Sequence, residues 1–284
     1  WKSNNKVVNH VGRNSGINKF IVTHSKNVVV YKCSFVNFTK GQLTITFSNI
    51  IHFWSNFFGN IKNDYKKINS GKAKKISMTL LKFYEVKTAS ISHSHFRYIY
   101  GQVLWVRNTN ILLILNNSFS SCFSFGPALF ISSINISAVI ERSLFFECEV
   151  KDSRSVFVVM SEFEYKIERK LTINNCLFIN NRAEKDTISI FGVRNVSILN
   201  CKFYDNGVID RKRSGGGGVH TQNVTLLFLR NSSFVKNLAE LGGAVNLLGS
   251  EKVSVMFCIF RDNKAKLSGG AFYGKELVEI SFYC

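Results

Sequence analysis

Three groups of residues in this chain have types and spacing suited to chemistry. His93-Ser94-His95 alternates along an extended stretch and offers two imidazoles to a metal on one strand face, but no third ligand follows at a metal-site spacing. Asp205 and Asp210 lie near Arg211, a carboxylate and guanidinium combination useful for work on sugars, yet they fall between extended segments as residues of a solvated turn do. Gly215 to Gly218 runs into Val219 and His220 but lacks the lysine and following helix of a phosphate cradle. No set of nucleophile, base and orienter emerges, so the reading is non-enzymatic, with no metal or cofactor.

Charge is the stronger signal. The chain carries 37 Lys and Arg against 18 Asp and Glu, a formal charge of +19. Two runs stand out: Lys66, Lys67, Lys72, Lys74 and Lys75 in a basic insertion over 61–75, and Arg211, Lys212 and Arg213 in a basic, glycine-rich loop over 207–218. Such runs attract polyanions, although a composition rich in Lys, Asn, Ile and Phe also fits plain solvated loops. Tyr65 among the lysines does not make a nucleic-acid motif, so the expected partners are acidic glycans or another surface protein, not nucleic acid. The longest apolar stretch, Val103 to Leu115, is interrupted by Arg107, Asn108 and Asn110 and is too short to cross a bilayer.

The elements that must position these residues follow from a repeated phrase. Cys176-Leu-Phe178-Ile-Asn-Asn181 returns as Cys201-Lys-Phe203-Tyr-Asp-Asn206, Ser232-Ser-Phe234-Val-Lys-Asn237 and Cys258-Ile-Phe260-Arg-Asp-Asn263. Weaker forms centre on Phe145, Phe119, Phe96, Phe57 and Phe35, with anchors 22 to 39 residues apart. Before each anchor apolar residues alternate with polar ones, as in Val196-Ser-Ile198, the period of a strand. The alternation slips at the Asn-Cys junction, which demands a corner, and Asn116, Asn175, Asn200 and Asn231 suit a left-handed residue there. Gly242-Gly243-Ala244 and Gly269-Gly270-Ala271 imply a second tight turn into another strand.

A unit of about 25 residues built this way cannot bury its own apolar side, so each must lie on the next. The expected fold is all-β, a right-handed single-stranded parallel β-helix of about nine rungs and roughly 43 Å, forming one unit over 1–284. A ladder of Phe35, Phe57, Phe119, Phe145, Phe178, Phe203, Phe234 and Phe260 should fill it. The chain is expected to be a segment of a longer protein, because its last residues resemble the opening strand of another rung.

Cys33, Cys176, Cys201 and Cys258 share the first slot of the phrase with Ser55, Ser94, Ser143 and Ser232, which calls for a small buried side chain. Cys122 and Cys148 instead take the asparagine slot in adjacent rungs, with Cα atoms about 5 Å apart, and are the expected disulfide. Six sequons occur. Asn116 and Asn231 are corner residues with little room for a glycan, which leaves Asn37, Asn135, Asn195 and Asn223 as candidate glycosylation sites.

Phe-x-x-Asn at Phe57-Asn60, Phe178-Asn181, Phe203-Asn206, Phe234-Asn237 and Phe260-Asn263, with the two Gly-Gly-Ala turns, resembles the paired motifs of chlamydial polymorphic outer membrane proteins. Similar repeats occur in large surface proteins of protists and some animals, within the pectin lyase-like β-helix class. The match is good from Leu171 to Phe272 and degenerate before it. The resemblance implies an extracellular or cell-surface segment used in adhesion or as a stalk, with no catalytic residues to carry over. The alternatives are a carbohydrate-active enzyme of the same class acting on acidic polysaccharide, which needs carboxylates gathered on one sheet, and a purely structural spacer.

Overall fold

A computed structural model of the chain describes residues 5–8, 11–13, 19–36, 42–61, 79–124, 126–151, 155–160, 169–208 and 217–283. The strands fall into three parallel sheets of 19, 10 and 6 members. One turn of the coil runs through Asn195–Leu199, Lys202–Tyr204, Gly207–Val208 and Val219–Gln222. The next turn lies on it in register, with Val196 opposite Leu227, Phe203 opposite Phe234 and Val219 opposite Val245. A complete turn gives two strands to the widest sheet and one to the ten-stranded sheet; from Phe123 onward it adds one to the narrowest. The fold is the expected right-handed parallel β-helix.

Alternation decides what faces inward. Val196 and Ile198 are fully buried while Asn195, Ser197 and Leu199 stay half-exposed on the outer face. Along the ten-stranded sheet, Phe35, Phe58, Phe96, Phe119, Phe145, Phe178, Phe203, Phe234 and Phe260 form one stack, with ring centroids 4.6 to 5.1 Å apart. Burying each such ring contributes about 1.5–3 kcal/mol, and each stacked pair about 0.5–1.5 kcal/mol more.

The stack takes in Phe96, which the expected ladder left out, and it corrects two further expectations. Phe58, not Phe57, belongs to it: Ser55 adopts the left-handed corner at φ 53°, so Asn56 takes the small-residue slot and the phrase shifts by one. Phe57 turns outward at 39% exposure, its ring over Gly59, where a Cβ would lie 2.7 Å from the ring. The count also rises. Val11–Arg13 is a tenth strand of the phenylalanine sheet, and Gly12 stands opposite Phe35, so no aromatic marks that turn in the sequence.

Corners repeat as columns of left-handed residues. Asn116, Asn175, Asn200 and Asn231 have φ between 48° and 55° as expected, but Lys32, Ser55, His93, Arg142 and Phe257 fill the same column at φ 47° to 53°. A second column follows the phenylalanine strand, through Tyr98, Ser121, Glu147, Asn180, Asp205, Lys236 and Asp262. A third bends the widest sheet, through His24, Phe47, Glu85, Asn108, Ser133, Gly192, Asn223, Gly249 and Glu276. A non-glycine residue there costs about 1–2 kcal/mol. Its N–H still bonds the next turn, as His93 does to the Leu115 carbonyl at 3.0 Å and Asp205 to Val235 at 3.0 Å.

Candidate functional site

The expected polyanion-binding residues Lys66, Lys67, Lys72, Lys74, Lys75, Arg211, Lys212 and Arg213 lie outside the described residues, but the strands flanking them are described. The chain leaves at Ile61 and resumes at Thr79; it leaves again at Val208 and resumes at Gly217. Ile61 pairs with Ile99 and Thr79 with Gln102, while Val208 pairs with Ala183 and Gly218 donates to the Ala244 carbonyl at 3.0 Å. Both departures therefore occur after the phenylalanine strand, and both returns begin the first strand of the widest sheet. The two basic runs interrupt the coil at one and the same corner, five turns apart, or roughly 24 Å along the axis. The Gly-Gly-Ala turns occupy this corner in later copies, where Gly242 and Gly269 have φ 57° and 68°. Gly217 and Gly218 align with Gly243 and Ala244, as expected, and the Gly218 N–H is spent in the ladder.

Among the described residues, the carboxylates near this corner do not form an open set. Asp205 is a left-handed corner residue that meets Arg182 at 3.3 Å, and Asp262 occupies the same column, as expected. Asp210 lies outside the described residues. Asp186 is a different case, 2% exposed, its Oδ2 accepting from Ser189 at 2.7 Å and from Ser155 at 3.4 Å, while the two hydroxyls bond each other. Nothing in the repeat marked Asp186, because it opens the strand Asp186–Phe191 directly after a variable turn. His93 and His95 do not share a strand face: Thr88–Ser92 ends before His93, a corner residue whose Nδ1 accepts from Trp54 Nε1 at 3.2 Å, and His95 opens the next strand. Among the described residues no three His, Cys, Asp or Glu side chains converge as a metal site would require.

The slot three residues after the stacked phenylalanine has its own chemistry. Asn181, Asn206 and Asn237 are buried, and each holds the turns on both sides. The Asn206 amide donates to the Phe178 carbonyl at 2.8 Å, and its Oδ1 accepts from the Asn181 N–H at 3.0 Å. The same pattern joins Asn237 to Phe203 and to the Asn206 N–H, and Asn263 to Phe234 and to the Asn237 N–H. Cys148, Cys122, Ile99 and Ile61 continue the column below, all 0–1% exposed.

Cys122 and Cys148 are neighbours in this column, as expected, since Phe119 pairs with Phe145 and Phe123 with Glu149. The expected disulfide is not formed: both are free thiols. A hydrogen bond with Cys148, then burial, holds the Cys122 thiol well above the usual thiol range. Cys176 and Cys201 form a second thiol pair in the small-residue column, where the bond to Cys176, then burial, raises Cys201. These side chains pack and bond inside the coil.

Of the candidate glycosylation sites, Asn37 lies outside the described residues. Asn135 is half-buried and donates to Asn110 Oδ1 at 2.9 Å; Asn195 is half-buried; Asn223 is an exposed corner residue. Asn231 is also exposed, which corrects the expectation of a crowded corner.

These features define the class: a right-handed parallel β-helix protein, coiled on an aromatic ladder. A family model described as the right-handed β-helix region matches residues 147–280, the part where the repeated phrase is clearest. No curated protein and no solved structure matches the chain. No helix among the described residues is long and apolar enough to cross a membrane.

Proposed function

We propose that this chain is a non-enzymatic segment of a secreted or surface-anchored protein, which extends from a surface and presents loops to acidic glycans or to another surface protein. The observation that carries the reading is the shared corner from which both basic runs arise. Their attachment points are several Debye lengths apart at physiological salt, so the runs act as two footholds on one edge. A linear polyanion that spans both gains by effective concentration what neither run supplies alone. The Phe-x-x-Asn and Gly-Gly-Ala phrases, with their resemblance to chlamydial polymorphic outer membrane proteins, support the surface location and the adhesive or stalk-like role.

Replacing Lys66, Lys67, Lys74 and Lys75 by glutamine should bring the chain off a heparin column at lower salt. Unchanged retention overturns the glycan reading. The enzymatic alternative predicts new chain ends when polygalacturonate is incubated with the protein, and the spacer alternative predicts neither cleavage nor retention.

A further inference from the structure

We infer that the outer face of the widest sheet carries a site for one acidic sugar residue, in a groove beside the corner that bears the second basic run. This inference rests on the glycan-binding reading and names where a single ring would sit. Strands Asp186–Phe191, Val219–Gln222, Val245–Leu248 and Phe272–Lys275 stack so that His220, Asn246 and Tyr273 form one outward column. Phe191 and Lys275 belong to the column beside it, and Lys185 stands at the turn that leads in. Together these six line a groove of about 270 Å³.

The groove has a polar floor that the protein leaves unanswered. Asn246 is 2% exposed, lines the groove, and its Oδ1 has no hydrogen-bond partner. A buried acceptor without a donor is unfavourable, and a turn of the Asn246 amide toward the groove lets a ligand hydroxyl supply one. Around it, Phe191 meets the His220 ring edge-on at 5.7 Å, and Phe191 and Tyr273 offer aromatic surface to the C–H face of a pyranose. Lys185 and Lys275 bring two cations, and no described residue lining the groove carries a carboxylate. Lys275 pairs with Glu276 at 3.5 Å, but both are well exposed, so this loose pair gives way to a bound anion. The volume falls below that of pockets for drug-sized ligands, which limits the occupant to one ring of a longer chain.

The sequence places Arg211, Lys212 and Arg213 just ahead of Gly217 and of the strand that presents His220. A glycan drawn to that run is delivered to the groove.

The test uses the full chain and hyaluronan oligosaccharides, carboxylated but unsulfated, with neutral dextran as control. Lys185→Gln and Lys275→Gln, both surface changes, should each weaken hyaluronan binding about tenfold. Tyr273→Ala should do the same, Tyr273→Phe should retain binding, and dextran should not bind. Absence of hyaluronan binding by the unaltered chain, equal binding of dextran, or affinities unmoved by both lysine changes would overturn the groove. The loop variant separates the two readings: if it alone weakens binding, the groove falls and the loops stand. If heparin retention survives the loop variant while the groove variants lose hyaluronan, the loop reading falls instead.

Discussion

The turns from Phe178 to Phe260 and those from Phe58 to Phe96 share one backbone coil and one phenylalanine stack, yet they are tied together differently. In the later turns the slot after the phenylalanine holds Asn181, Asn206 and Asn237, whose amides bond the turns above and below, and Asn263, which bonds the turn below. In the earlier turns the slot holds Ile61 and Ile99, which only pack. Thiols of Cys122 and Cys148 occupy the turns between. Parallel stacking therefore needs only a side chain that fills the slot. The amides add register, because a one-turn or one-residue slip leaves buried donors and acceptors unmet, whereas isoleucine in a shifted slot loses only contact.

The comparison breaks most sharply at the element the two regions share. Phe203→Ala and Phe96→Ala should each cost about 3–5 kcal/mol in denaturant unfolding, because both remove a ring from one continuous stack. A much smaller cost at Phe96 would mean that the earlier turns are not held by it. Next in size is the element that differs. Asn206→Leu strands the Asn181 N–H and the Phe178 carbonyl and should cost about 2–4 kcal/mol, whereas Ile99→Val should cost about 0.5–1.5 kcal/mol.

The thiols sharpen the boundary between the two regions through pH. Cys122 has a folded pKa raised above the usual thiol value, so its buried, protonated form stabilises the fold fully below that value. That contribution is lost as pH rises through the folded value. The melting temperature should fall between neutral pH and about pH 10, and Cys122→Ser should flatten part of that fall. The smallest effects belong to the corners. Arg142→Gly relieves a left-handed arginine and should stabilise by up to about 1 kcal/mol, while Asn200→Gly should be close to neutral, since asparagine already tolerates that conformation. Equal effects at the two corners would refute the idea that asparagine marks the later turns for conformational reasons.

The legibility of the sequence follows the same division. Where asparagine fills both a corner and the slot after the phenylalanine, the residue type is dictated by φ and by two hydrogen bonds, so the phrase is repeated almost letter for letter. Where the slot needs only volume, many residues serve, and the register became ambiguous. That is why Phe57 stood in for Phe58, why the turn of Gly12 carried no mark, and why His93 and His95 resembled a strand pair when His93 is itself the corner. The column of left-handed residues through His24, Phe47, Glu85 and Asn108 left no trace in composition, because its geometry is a property of the backbone.

By itself the sequence determined that like positions stack: alternation, corner asparagines and glycine pairs leave a short unit with no way to bury its apolar face except on its neighbour. It also determined the two basic runs and their place between repeats. Only the tertiary structure decided that both runs leave the coil at one corner, and that His220, Asn246 and Tyr273, 26 and 27 residues apart in the chain, form one column beside it. The physical reason is that insertions change the length of a turn without changing its pitch, so distance along the chain says little about distance along the coil.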